Sequence, residues 1–144
     1  MPYLKKNFGI VPLDFVKAGE ISIQVHGLLK TIGFEAALIR RVSVCAYESE
    51  MNVVMHGGDG TLSLSVDSDS IVLEVRDEGP GIENIDLALK EGYSTATEEI
   101  REMGFGAGMG LPNIQKNADA FEIHSEKGRG THLKMSFNVK SRRE

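Results

Sequence analysis

Glu48, Asn52 and His56 recur at intervals of four residues within the stretch Glu35 to His56. On an α-helix that spacing sets them in one row. A carboxylate and an amide oxygen so aligned can share a hard cation or its water, because Mg²⁺ prefers oxygen ligands and keeps several waters while it contacts substrate phosphates. An ordinary solvated helix face has the same pattern, so the row alone does not separate the two.

A second candidate is Asp77, which opens Asp77-Glu78-Gly79-Pro80-Gly81. A carboxylate held at a strand end by a tight turn can accept a hydrogen bond from an exocyclic amine such as that of adenine. Asp is equally a common turn former. The third candidate is backbone: seven of the 16 glycines fall between Asp77 and Pro112, and Gly104, Gly106, Gly108 and Gly110 alternate with other residues just before a predicted helix. Glycine at this density marks positive φ or close approach to a ligand. Amides converging on a helix N-terminus form an anion site whose usual guest is phosphate, and the competing interpretation is a flexible surface loop. The spacing fits neither a P-loop, which needs GxxxxGK and then Ser or Thr, nor a dinucleotide fingerprint of the GxGxxG type.

Other residues carry less. His26, His56, His124 and His132 are scattered and give no zinc-like spacing. Ser94 and Thr95 have no histidine in a supporting pattern. Cys45 is the only cysteine, without a CxxC partner, and is expected to pack as a small hydrophobe in a reducing compartment.

These candidates need elements to hold them. Asn7 to Leu13 is strand-like, with Pro12 limiting it to a sheet edge or a strand end. Between Asp14 and Gly33, Ile21, Ile23 and Val25 alternate as in a strand. Ala18, Ile21, Val25, Leu28, Leu29 and Ile32 instead repeat with helical spacing, which is favoured, with Asp14 as N-cap and Gly33 as stop. Glu35 to His56 is the clearest helix, carrying Ile39, Val42, Ala46, Ser49 and Val53 on one face and ended by Gly57, Gly58 and Gly60. About 100° per residue puts Asn52 roughly a quarter turn from the centre of that face, at the border of core and cleft.

A hairpin follows, with Leu62, Leu64 and Val66 alternating, a turn at Asp67 to Ser70, and Ile71, Leu73 and Val75 alternating again. Short helices are predicted over Ile85 to Lys90 and over Leu111 to Ala118, where Pro112 is tolerated in the first turn. A last hairpin pairs Phe121 to Ser125 with Thr131 to Val139. The fold class is therefore α+β, expected as a two-layer sandwich of a mostly antiparallel mixed sheet with about three helices on one face.

The 144 residues suffice for one buried core, so one domain over 1–144 is expected. An apolar fraction of 41% and a charged fraction of 26% exclude a wholly disordered chain. A net charge of −5, with no basic stripe beyond Lys140, Arg142 and Arg143, argues against a nucleic-acid partner. No apolar run approaches the roughly 20 residues of a membrane span. Met1 to Ile10 lacks the apolar core of a signal peptide, so a cytoplasmic setting is expected.

In order, Glu48-x-x-x-Asn52, Asp77-x-Gly79-x-Gly81, Gly106-x-Gly108-x-Gly110-Leu111 and Gly130-Thr131 resemble the boxes of the Bergerat-type (GHKL) ATP-binding fold of gyrases and histidine kinases. The stretches at 77–82, 91–95 and 106–114 are most similar to DxGPGI, EGYST and GAGxGLPxI of the small bacterial anti-sigma factor and switch-protein serine/threonine kinases. That resemblance implies ATP and Mg²⁺ as cofactors and Glu48 as the general base that takes a proton from a protein hydroxyl. It implies Asn52 as the Mg²⁺ ligand, Asp77 as the adenine contact, and Gly79, Gly81 and Ile82 as the turn beneath the base. Gly104, Gly106, Gly108, Met109, Gly110 and Leu111 would line the phosphates, Thr131 would support the adenine site, and Tyr93 to Met103 would form a lid. The implied partner is a STAS-domain anti-anti-sigma protein, with a sigma factor or a downstream phosphatase as further candidates, a homodimer compatible, and transcription regulation as the setting. The alternative is a nucleotide-responsive module that sequesters or activates a partner without phosphotransfer.

Overall fold

The structure, a computed structural model, describes residues 4–56, 58–81, 85, 89–90, 110–126 and 128–139. In chain order the described elements are β1 (Leu4–Ile10), α1 (Glu20–Ile32), α2 (Ala36–His56), β2 (Gly60–Val66), β3 (Ser70–Asp77), α3 (Gly110–Asn117), β4 (Ala120–Glu126) and β5 (Gly130–Asn138). The strands form one sheet in the order β1-β2-β3-β5-β4, and all four pairings are antiparallel. The α+β expectation holds, and among the described residues the sheet is antiparallel rather than mixed.

Alternation decides which face is covered. Leu62, Leu64, Val66, Ile71, Leu73, Val75, Leu133, Met135 and Phe137 are buried, while their neighbours Ser63, Glu74, His132 and Lys134 are half-buried on the other face. The helices supply the opposing layer through Ile21, Val25 and Leu29 of α1, Ile39, Val42, Ala46 and Val53 of α2, and Leu111 and Ile114 of α3. Phe137 of β5 is completely buried beneath that layer, and a side chain of this size removed from water contributes about 1.5–3 kcal/mol.

Ile23 separates the two interpretations of the first helix. It is 71% exposed while Ile21 and Val25 are buried, which a helix produces and a strand alternation does not. The helix starts later than expected, at Glu20, with Gly19 rather than Asp14 at its N-cap position. Gly33 ends it as predicted, in the left-handed region (φ 100°), with its N–H on the Leu29 carbonyl. β1 lies at the sheet edge and runs over Leu4–Ile10 rather than Asn7–Leu13, because its ladder to β2 ends at Ile10↔Gly60, two residues short of Pro12. Of the short helix expected at Ile85 to Lys90, residues 85, 89 and 90 are described, with the Leu89 N–H on the Ile85 carbonyl at 3.1 Å. No helix among the described residues is long and apolar enough to cross a membrane.

Candidate functional site

α2 and α3 meet along a polar seam. From the N-terminal end of α2, the Arg41 Nε donates to the Asn117 carbonyl at 3.0 Å, and its guanidinium pairs with Asp119 at 2.7 Å. Cys45 Sγ lies 3.7 Å from the Ile114 carbonyl oxygen, and Asn113 Nδ2 donates to Glu48 Oε2 at 2.5 Å. Last comes Asn52, whose Oδ1 would be 3.3 Å from a β-carbon built on Gly110. The row expected at the border of core and cleft is there: Glu48 and Asn52 are half-buried and face the first turn of α3, where the glycine run ends. Gly110 has no side chain, so none stands between the helix backbone there and the Asn52 amide oxygen, an atom type that a hard cation prefers.

The second half of the site is an end of the sheet. Ile10, Gly60, Asp77, Thr131 and Ser125 stand opposite one another in a row across all five strands. Asp77 Oδ1 accepts the Gly79 N–H at 2.9 Å, so the carboxylate closes its own turn and is held in one rotamer. Thr131 Oγ1 shares a hydrogen bond with Ser125 Oγ at 2.8 Å.

Glycines permit the packing around this end. Gly81 (φ 79°) lies against the Glu126 carbonyl, and Gly58 lies against the backbone of Gly79. The Gly128 N–H bonds the Pro80 carbonyl at 2.6 Å. A β-carbon on Gly60 would strike Val53, the residue after Asn52. Helix row and sheet end therefore adjoin.

Residues 13–137 match the histidine kinase-like ATPase domain family. The chain belongs to that family.

Among its curated relatives, the anti-sigma F factor of Thermoanaerobacter sp. (strain X514) is 32% identical over 108 residues, 72% of each chain. The anti-sigma F factor of Clostridium beijerinckii (strain ATCC 51743 / NCIMB 8052) is 32% identical over 111 residues, 72% of this chain and 74% of its own. The serine/threonine-protein kinase RsbT of Bacillus subtilis (strain 168) is 26% identical over 124 residues, 83% of this chain and 85% of its own. An ATPase domain of this kind uses ATP.

Of the residues singled out by sequence, Glu48 and Asn52 come together with Gly110 at the head of α3, and Leu111 is buried behind them. Asp77, Gly79, Gly81 and Thr131 come together at the sheet end. Ile82, Gly104, Gly106, Gly108, Met109, the lid expected over Tyr93 to Met103, and Ser94 and Thr95 lie outside the described residues. His132 bonds Glu74 at 3.0 Å on the half-buried face of the sheet and stacks on His124. Cys45 is buried, and burial pushes its thiol up to about 12, so it stays an uncharged core group.

Glu50 does something else. It is 2% exposed and turns away from Glu48, its Oε2 accepting the Gly19 N–H at 3.0 Å and its Oε1 the Ser22 N–H at 3.3 Å. These amides belong to the first turn of α1, which Glu50 caps from another helix. Burial raises its pKa, and the backbone hydrogen bonds from Gly19, Ser22 and Ile21 oppose that rise. Glu48 and Glu50 thus have separate tasks on opposite sides of one helix.

Sequence reasoning missed Asn113, Ser125 and Gly58 as parts of the site. Asn113 occupies the unspecified position of GLPxI, and Ser125 joins the site through its register with Thr131. Gly58 serves as a helix terminator in sequence, and its close approach to the Gly79 backbone emerges only in the fold.

Proposed function

We propose that the chain is an ATP-dependent serine/threonine protein kinase that regulates a partner-switching circuit, phosphorylating a STAS-type anti-anti-sigma protein. The observation that supports it best is the placement of Glu48 and Asn52 at the head of α3, where a glycine-rich run meets a helix N-terminus. A carboxylate there has a use in phosphotransfer that a simple nucleotide binder does not require. The names of the relatives, anti-sigma F factor and serine/threonine-protein kinase, point the same way.

In the proposed step the hydroxyl oxygen of a partner Ser or Thr forms a bond to the γ-phosphorus while its proton passes to Glu48. The bond from the γ-phosphorus to the bridging oxygen breaks, and the electron pair leaves with ADP. Asp77 receives the adenine amine, Gly79 and Gly81 bring the backbone under the base, and Thr131, steadied by Ser125, backs that position. Asn52 would hold Mg²⁺, which when bound neutralises charge on the phosphate oxygens.

The test is incubation with [γ-³²P]ATP and a STAS-domain partner. Label on a partner Ser or Thr that disappears in Glu48→Gln, with ATP binding retained, is the expected result. ATP binding with no label on any partner would replace the kinase by a nucleotide-responsive binding module. Acid-labile label on histidine would point to a histidine-kinase catalytic domain instead.

A further inference from the structure

We propose that Asn113 is the positioning residue of the base: its side-chain amide clamps Glu48 Oε2 and leaves Oε1 to take the hydroxyl proton. The inference rests on the assignment of Glu48 as base made above. A glutamate on a helix surface samples several rotamers, and only those that aim an oxygen at the attacking hydroxyl are productive. One hydrogen bond from a residue on another helix selects among them. The amide donates to a charged acceptor, which is the stronger class of hydrogen bond.

Asn113 is well placed to do this because its own backbone is fixed. Its carbonyl accepts the Asn117 Nδ2–H at 2.8 Å, and Asn117 in turn is tied to α2 through Arg41. Ile114, the next residue, is fully buried, so the helix turn that carries Asn113 is seated in the core. Asn113 lies three residues after Gly110, where the glycine run becomes helix, so the same turn of α3 faces Asn52 through Gly110 and holds Glu48 through Asn113. A displacement of this turn therefore acts on Glu48 directly, through the Asn113 amide, and changes the spacing between Gly110 and Asn52.

The substitution Asn113→Ala removes the clamp and leaves the backbone hydrogen bonds of α3 intact. The expected result is a fall in kcat of about 10- to 100-fold, because displacement of a catalytic group by about 1 Å can cost about 100-fold. ATP affinity stays within about two-fold, and Asn113→Gln, which keeps a donor, restores part of the rate. A readout free of turnover is the ¹⁵N–¹H signal of the Asn113 side-chain amide, which moves on Glu48→Gln.

Wild-type kcat in Asn113→Ala, or ATP affinity falling in step with kcat, would overturn the inference. Glu48→Gln run in parallel separates the two failures. Label lost in Glu48→Gln but unchanged in Asn113→Ala sinks the clamp alone, whereas no label from the wild type, or full label from Glu48→Gln, sinks the base assignment and the clamp with it.

Discussion

Gly130 presses on Asp77 so closely that a β-carbon on Gly130 would overlap the Asp77 carbonyl oxygen. Gly130 also has φ 86°, whereas Gly128, two residues earlier in the same turn, has φ 82° with open space around it. The pair separates backbone strain from collision. Gly128→Ala should lower the unfolding free energy by about 1–2 kcal/mol, the cost of a left-handed residue with a side chain. Gly130→Ala should lose clearly more in urea unfolding. Equal losses would show that the turn shifts to relieve the contact.

Asp77→Asn keeps an oxygen for the Gly79 N–H and so should preserve the turn, while removing the charged acceptor proposed for adenine. Wild-type protein with ATP at about 100 times its Kd should gain about 2.7 kcal/mol by mass action. Thermal unfolding with and without MgATP should show most of that gain missing in the variant. An undiminished shift would move the adenine site elsewhere.

Glu50→Ala leaves the Gly19 and Ser22 amides without their acceptor inside the protein. Leaving a buried donor unsatisfied costs about 1–3 kcal/mol, so the variant should melt lower. Amide hydrogen exchange at Gly19 and Ser22 should accelerate before exchange in the sheet does. Unchanged protection at both amides would show that α1 does not depend on this cap.

Glu74 gives a dependence on pH with a definite sign. The hydrogen bond from His132 is the chief reason its pKa falls below the ordinary value of 4.5, with the charges of His132, Arg76 and Lys134 adding to it. A depressed carboxylate contributes stability above its unfolded pKa and loses it as pH falls through the folded value. The stabilising difference between wild type and Glu74→Gln should therefore shrink as pH falls below the unfolded glutamate value of about 4.3. A difference that grows on acidification would contradict the pairing.

The sheet and α2 were legible because burial alternates every second residue in Leu62, Leu64 and Val66 and follows helical spacing from Ile39 to Val53, and these patterns are local. The row Glu48 and Asn52 was legible for the same reason, since a helix fixes which residues share a side. What the sequence concealed depends on distant partners. Asp14 looked like the cap of α1 because Asp is a good local N-cap, whereas the acceptor comes from Glu50, 31 residues beyond Gly19. Asn113 and Ser125 lacked any periodic or motif signal, because their importance lies in contacts with residues distant in sequence or across a turn, Glu48 for the first and Thr131 for the second. The β1 boundaries differ from the expected ones because the strand-like composition continues to Leu13, whereas the ladder ends at Ile10.

The row Ile10, Gly60, Asp77, Thr131 and Ser125 draws on nearly the whole length of the chain. β3 reaches the middle of the sheet by pairing with β5, the last of the described strands, and pairings of such long sequence separation form late. During synthesis, a chain released only as far as α3 would hold Glu48 and Asn52 on a complete helix, yet Asp77 would still lack its β5 neighbour. Nucleotide affinity should thus appear only once the β4–β5 hairpin has joined β3, and chains in which it has not should not compete for ATP.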